Sequence, residues 1–310
     1  MSSNQIDSIA GLIYGSFVAD SLALGTHWIY GQRALRRDYG RVTDFFDPRK
    51  DSVHRNKIRG QQTHYGDQAL TLMESIEIHR GFEFAAFVQD WQRMWSGYSH
   101  YVDQATKETL KNLNAGSAAA GAASKSDELG GAARIAPLLA TMANKPIGSV
   151  VAAARAQTAL THGSKAAGDA AEFLTRLVFS LLDGETLRAA IDQSVSAAFD
   201  ELDMRKVWIS VEGTRSLEIA AAAKSLGLAC PTPQALPTLL MLLDRCGDDF
   251  ETAAIENVMA GGDNAARGLA LGMILGARHG NSRIPTRWLD ELEAAPRIEA
   301  FLQKLRAHEA

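Results

Sequence analysis

The chain has 310 residues, with 32 Lys and Arg against 36 Asp and Glu and a formal net charge of −4. Length allows one large domain or two of ordinary size, and the near balance of charge argues against a dedicated nucleic-acid binder. Two cysteines fit a reduced, cytoplasmic protein. The N-terminal "MSSNQIDSIAGLIYG" lacks the basic and apolar parts of a signal peptide, and no apolar run of spanning length is free of Gly, Pro or charge, so no membrane partner is expected.

Ile6, Ile9, Ala10, Ile13 and Phe17 follow the helical period, with Ser3 or Asn4 as cap. Residues 31 to 60 look irregular. Their lysines and arginines (Arg33, Arg36, Arg37, Arg41, Arg49, Lys50, Arg55, Lys57, Arg59) are interrupted by aspartates, as in a solvated face. From Gln68 "ALTLMESIEIHRG" is helical to Gly81, and "FEFAAFVQDWQRMWSGY" repeats the pattern. A short helix "ETLKNLNAG" precedes a loop and helix in "ASKSDELGGAARIAPLLATMANKPIGS". An Ala-rich helix then runs to His162-Gly163.

Two amphipathic helices follow, in "AAGDAAEFLTRLVFSLLDG" and "ETLRAAIDQSVSAAFDEL". Another begins near Thr214 or Ser216. Three more lie between Cys230 and Gly280, and "IPTRWLDELEAAPRIEAFLQKLRAHE" closes the chain. No alternating strand pattern, repeat or Pro- or Ser-rich linker appears. The expectation is a single all-α domain over residues 1–310, with its chemistry in the loops between helices.

Polar groups gather at two helix starts. "GGDNAARG" has no preceding strand, so it is neither a dinucleotide fingerprint nor a P-loop. It reads as a glycine turn capped by Asp263 or Asn264, or as a cation or ligand site with Arg267 facing the same cleft. "THYGDQALTLMES" reads as a start capped by Asp67, or as a polar-ligand site presenting His64, Tyr65 and Asp67. Asp20, His27 and Trp28 stand among small residues. His162 sits at a helix C-terminus, where the dipole favours its cation. No zinc pattern is visible, because no histidines pair at i, i+4 with a third ligand in sight. No Gly-x-Ser-x-Gly elbow exists, and Cys230 reads as a small buried residue before a nucleophile.

Taken in order, "ADSLALGTH", "THYGDQALTLMES", "GAARIAP" (Gly131 to Pro137), Thr161-His162, "GGDNAARGLALGMILGARHG" and "IPTRW" (Ile284 to Trp288) resemble the motif series of the ADP-ribosylglycohydrolase family over nearly the whole chain. The resemblance implies a compact multi-helix orthogonal bundle around a cleft. It also implies a small-molecule or ADP-ribosylated substrate and two magnesium ions held by two acidic motifs, which position water for attack on the anomeric carbon.

The departures fall on those acids. Thr63 keeps the family threonine. His64 and Tyr65 stand at the two metal aspartates, Gly66 at the second threonine, and His27 at the early glutamate. Asp263 is kept, Asn264 replaces a threonine, and Ala265 and Ala266 replace the second aspartate and threonine. If a metal is retained, Asp263 and Thr63 are its ligands. Losing the three metal aspartates at His64, Tyr65 and Ala265 removes the charge that offsets two dications, which implies a remodelled cleft. The pattern is similar to the branch that includes J-crystallins and selenoprotein J.

Two readings stay open. One is a hydrolase of an ADP-ribosyl or related N- or O-glycosidic bond, with Asp263, His64 and His27 as catalytic candidates. Asp20, Thr63, Tyr65, Asp67, Gly131, Arg134, His162, Asn264 and Arg267 would then bind substrate. The other is an inactive ADP-ribose- or nucleotide-binding member, or a structural, crystallin-like one.

Overall fold

A computed structural model describes residues 2–309, and among them helices and turns account for the fold with no strand. The helices are α1 (Ser3–Leu24), α2 (Gln32–Tyr39), α3 (His64–His79), α4 (Phe84–Ser96), α5 (Gln104–Asn114), α6 (Gly130–Ala133), α7 (Ala136–Thr141), α8 (Ile147–Ala159) and α9 (Lys165–Leu182). They continue as α10 (Leu187–Val195), α11 (Met204–Glu212), α12 (Ile219–Leu226), α13 (Thr232–Cys246), α14 (Phe250–Ala260), α15 (Asn264–His279), α16 (Thr286–Glu291) and α17 (Ala295–Glu309). The all-α expectation holds.

The centre is the antiparallel pair α1 and α15. Gly11 faces Gly276, Gly15 faces Gly272, and Ala19 faces Gly268, four residues apart on both helices. At the five glycines of this seam a Cβ would crowd the opposing backbone carbonyl, so glycine there lets the two helices touch. Ser16 crosses the same seam, its hydroxyl donating to the Leu269 carbonyl at 3.1 Å. From Ile9 to Leu24 every residue of α1 is buried. By length and composition it is the one helix among the described residues apolar enough to span a membrane, yet it lies 83% inside the protein as a core helix.

Several local expectations are corrected. Ser2, not Ser3 or Asn4, caps α1, because the Gln5 side chain reaches back to the Ser2 N–H while Ser2 accepts from Gln5. The stretch 31–60 contains α2, whose cap glycines Gly31 and Gly40 obscured it. Its arginines pair with nearby acids, Arg37 and Arg49 with Asp38, and Arg49 with Asp51. Helix α12 starts at Ile219 with Glu218 as cap residue, later than Thr214 or Ser216.

The seam sets the site. Because α1 and α15 run antiparallel, the end of α1 meets the start of α15. The Asn264 amide donates to Thr26 Oγ1 at 3.0 Å. Trp28 N–H donates to the Gly262 carbonyl and Gly262 N–H to the Ile29 carbonyl, both at 3.0 Å. Gly261 and Gly262 hold φ of 77° and 72°, the left-handed region that glycine adopts without strain. Trp28 shares that region at φ 64°, a strained backbone beside the site.

Candidate functional site

Asp263 caps α15 as expected, its Oδ1 accepting from Ala266 N–H at 3.2 Å. Oδ1 also accepts from His27 Nε2 at 2.9 Å, and Oδ2 accepts from the Tyr65 hydroxyl at 3.2 Å. Burial opposes ionisation of this carboxyl. The His27 contact, the Cys230 thiol and the Ala266 N–H outweigh that, and hold it at about 2. One full negative charge therefore sits at the helix start, where the dipole also favours it.

The imidazoles extend from Asp263. His27 Nδ1 meets His54 Nε2 at 2.9 Å. His64, the first residue of α3, packs against Tyr65 with ring centroids 3.8 Å apart and planes tilted by 37°, and neither of its nitrogens has a hydrogen-bond partner. Its Nε2 stands 3.8 Å from Asp103 Oδ2, beyond hydrogen-bond length. Burial, with the neighbouring imidazoles, pushes His54 and His64 well below the usual histidine range, so both are neutral. Trp28 and Tyr101 pack over His64, with centroids 6.1 Å and 5.1 Å away. A hollow of about 300 Å³, lined by His27, Trp28, Asp38, Arg49 and Ser52, lies on the α2 side of His27, whose side chain is itself fully buried.

Two magnesium ions do not fit this donor set. Hard cations need several oxygen ligands, and here nitrogens dominate. Asp263 adds a single carboxylate, with Oδ1 committed to His27 and Ala266 and Oδ2 accepting only from Tyr65. The Thr63 hydroxyl, expected as a second ligand, is engaged elsewhere. It caps α3 through Tyr65 N–H, and it donates to Asp20 Oδ1 at 2.6 Å.

The remaining candidates separate into three groups. Asp20 is fully buried, and its Oδ2 accepts from Thr63 N–H at 2.7 Å. Burial raises its carboxyl to about 7, against the two Thr63 hydrogen bonds that lower it. Gly66 is required there, because a Cβ would strike Asp20 and Gln62. Asp67 is not the cap of α3. It lies inside the first turn, paired with Lys57 Nζ at 2.6 Å and accepting from the Tyr98 hydroxyl at 2.5 Å.

Gly131, Arg134 and His162 form a second buried cluster. The Arg134 guanidinium donates to Gln68 and, at 2.6 Å, to Thr161 Oγ1. Gly131 packs flat on the His162 ring. Burial and the Arg134 charge hold His162 near 3, so the helix-end cation is not formed.

Arg267 does not face an open cleft. It is fully buried, and it donates to the Asn257 side chain at 2.7 Å and to the Gly261 carbonyl at 2.8 Å, bracing the turn before Asp263. Asn264 faces Thr26, with its Oδ1 unpartnered.

Two contributors were missed in the sequence, and a third, Cys230, was read there only as a small buried residue. His54 lies in a loop without periodicity. Cys230 lies against Asp263, and burial with that negative charge pushes its thiol up, so it stays protonated. Glu128 is raised to about 7 by burial and by Asp263. It rides a segment pinned to the Cys230 loop by Leu129 N–H to the Cys230 carbonyl (2.9 Å) and Thr232 N–H to the Asp127 carbonyl (2.9 Å). The acid in "DELGG" was the available signal for it.

Comparison with known proteins agrees with the motif order. A family model described as ADP-ribosylglycohydrolase matches residues 1–310. An uncharacterized protein of Archaeoglobus fulgidus is 26% identical over 94% of both chains. Crystallin J1A of Tripedalia cystophora is 21% identical over 98% of both. A solved structure titled ADP-ribosylglycohydrolase-related protein complex superposes with a TM-score of 0.79 at 25% identity, covering 98% of each chain.

Proposed function

Given that this chain belongs to the ADP-ribosylglycohydrolase family, we propose that its cleft hydrolyses the glycosidic bond of an ADP-ribosyl or related group without the magnesium pair. What supports this is the geometry around Asp263, a buried carboxylate held by His27 Nε2 at 2.9 Å and the Tyr65 hydroxyl at 3.2 Å, near a Glu128 carboxyl that burial and the Asp263 charge raise to about 7. Two carboxyl groups pushed apart in this way divide the acid and base roles of glycoside cleavage.

Glu128 donates its proton to the leaving nitrogen or oxygen as the bond to the anomeric carbon breaks. Water attacks that carbon and releases its proton to Asp263, which His27 and Tyr65 hold in place. The negative charge of Asp263 also favours the cationic sugar that develops. Substrate enters from the hollow at His27, with Trp28 and Tyr101 moving aside.

A second reading, a non-catalytic member, is favoured by the near-complete burial of Asp263 and His64 and by the similarity to crystallin J1A. Purified protein incubated with ADP-ribosylated arginine and serine peptides separates the two. The hydrolase reading expects ADP-ribose release that added magnesium leaves unchanged and that Asp263→Ala lowers at least about 100-fold. No release, with calorimetric binding of ADP-ribose, favours a binding protein. Neither release nor binding favours a structural one.

A further inference from the structure

His27, His54 and His64 come from three separate segments: the turn after α1, the loop after α2, and the first residue of α3. One ring nitrogen of each lies within 4.8 Å of the others. The ring centroids form a near-equilateral triangle with sides of 5.1, 5.5 and 5.9 Å. All three residues are at least nine-tenths buried. A proton shared between His27 Nδ1 and His54 Nε2 accounts for their 2.9 Å contact. It leaves His54 Nδ1 and both nitrogens of His64 buried without a partner. Buried polar atoms are almost always satisfied, so His64, with neither ring nitrogen partnered beside the His27–His54 pair, points to something that binds it.

We propose that these three imidazoles form a site for one divalent transition-metal ion, with zinc the best match. Imidazole nitrogens suit zinc, copper and nickel, and they suit magnesium poorly. Four-coordinate zinc with Zn–N of about 2.0–2.1 Å sets its nitrogen ligands about 3.3 Å apart. The His27–His54 pair is already near that spacing, and His64, with a ring nitrogen within 4.8 Å of theirs, closes inward on the ion.

Asp263 completes the arrangement behind the first ligand. By accepting from His27 Nε2 it fixes the tautomer that leaves the Nδ1 lone pair facing the ion. Three histidines leave a fourth position to water or a substrate oxygen. This site stands on geometry alone and does not depend on the hydrolase reading.

The test uses the full chain, stripped with chelator and dialysed separately against zinc, cobalt(II) or magnesium, then analysed for bound metal by mass spectrometry. The expected result is about one zinc per chain, little magnesium, and cobalt with the intense visible absorption of a four-coordinate nitrogen site. His54→Ala and His64→Ala should each weaken zinc binding at least about 100-fold. His79→Ala, on the surface beside Asp90, should not.

Absence of zinc from the wild-type chain overturns the inference, as does zinc held equally by both site variants. If those variants do not fold, the wild-type cobalt spectrum decides. Four-coordinate absorption supports the site and a six-coordinate spectrum refutes it. Activity is not read, so a chain that binds zinc but cleaves nothing refutes only the hydrolase reading.

Discussion

Replacing Asp20 with Asn removes a carboxyl that the fold holds from an ordinary 3.8 up to about 7, chiefly by burial. The native state therefore keeps a proton that the unfolded chain releases between about pH 4 and pH 7, and stability falls as pH rises through that window. The shift corresponds to about 4 kcal/mol.

Asparagine imitates the protonated acid. Its oxygen can accept from Thr63 N–H, and its amide can donate to Thr63 Oγ1, at the positions Asp20 now occupies. Urea denaturation of wild type and Asp20→Asn, compared across about pH 4 to 8, isolates the group. Buried His54, His64 and His162 titrate with the opposite sign, losing stability as pH falls, but they are common to both chains. The difference should move in favour of the variant by about 4 kcal/mol as pH rises. A difference that stays flat, or one that moves towards the wild type, would refute the reasoning. The latter would mean the ionised carboxylate itself stabilises the fold, as a cation ligand does.

Asp263 should show the reverse. Its carboxyl is depressed to about 2, so its contribution is present above about pH 4 and is lost as pH falls through 2. Asp263→Asn should therefore lack an acid limb of about 2 kcal/mol that the wild type shows in acid titrations followed by circular dichroism. A matching acid limb in both proteins would contradict the depressed value. Gly272→Ala places a methyl against the Gly15 backbone at the α1–α15 seam. It should lower stability by about 1–3 kcal/mol or more, read as a lower Tm, because neither helix backbone can yield cheaply. An unchanged Tm would show that the helices are not in such close contact.

The order of helices, the capping role of Asp263 and the family motifs were legible because each is written within one or two turns of chain, where hydrophobic period, cap residue and glycine stop act locally. His64, Tyr65 and Ala265 stand inside recognisable blocks for the same reason, at positions where the family resemblance leads one to expect aspartates. The commitments of those blocks were not legible. Thr63 turns to Asp20, Arg267 turns back to brace Gly261, and Asp67 pairs with Lys57, because each partner lies on another element or turn and only packing chooses it.

The histidine cluster is the extreme case. The absence of a local zinc pattern was a correct reading of spacing, and yet His27, His54 and His64 meet. His27 also reaches Asp263, 236 residues further along the chain. That meeting depends on glycines at four-residue spacing on α1 and α15, which let the two helices touch and carry the end of one to the start of the other. The sequence by itself determined which helices form and which family the chain belongs to. Tertiary packing alone decided that the imidazoles share one buried space, because contact between distant segments is set by how helices close on each other and not by any local pattern.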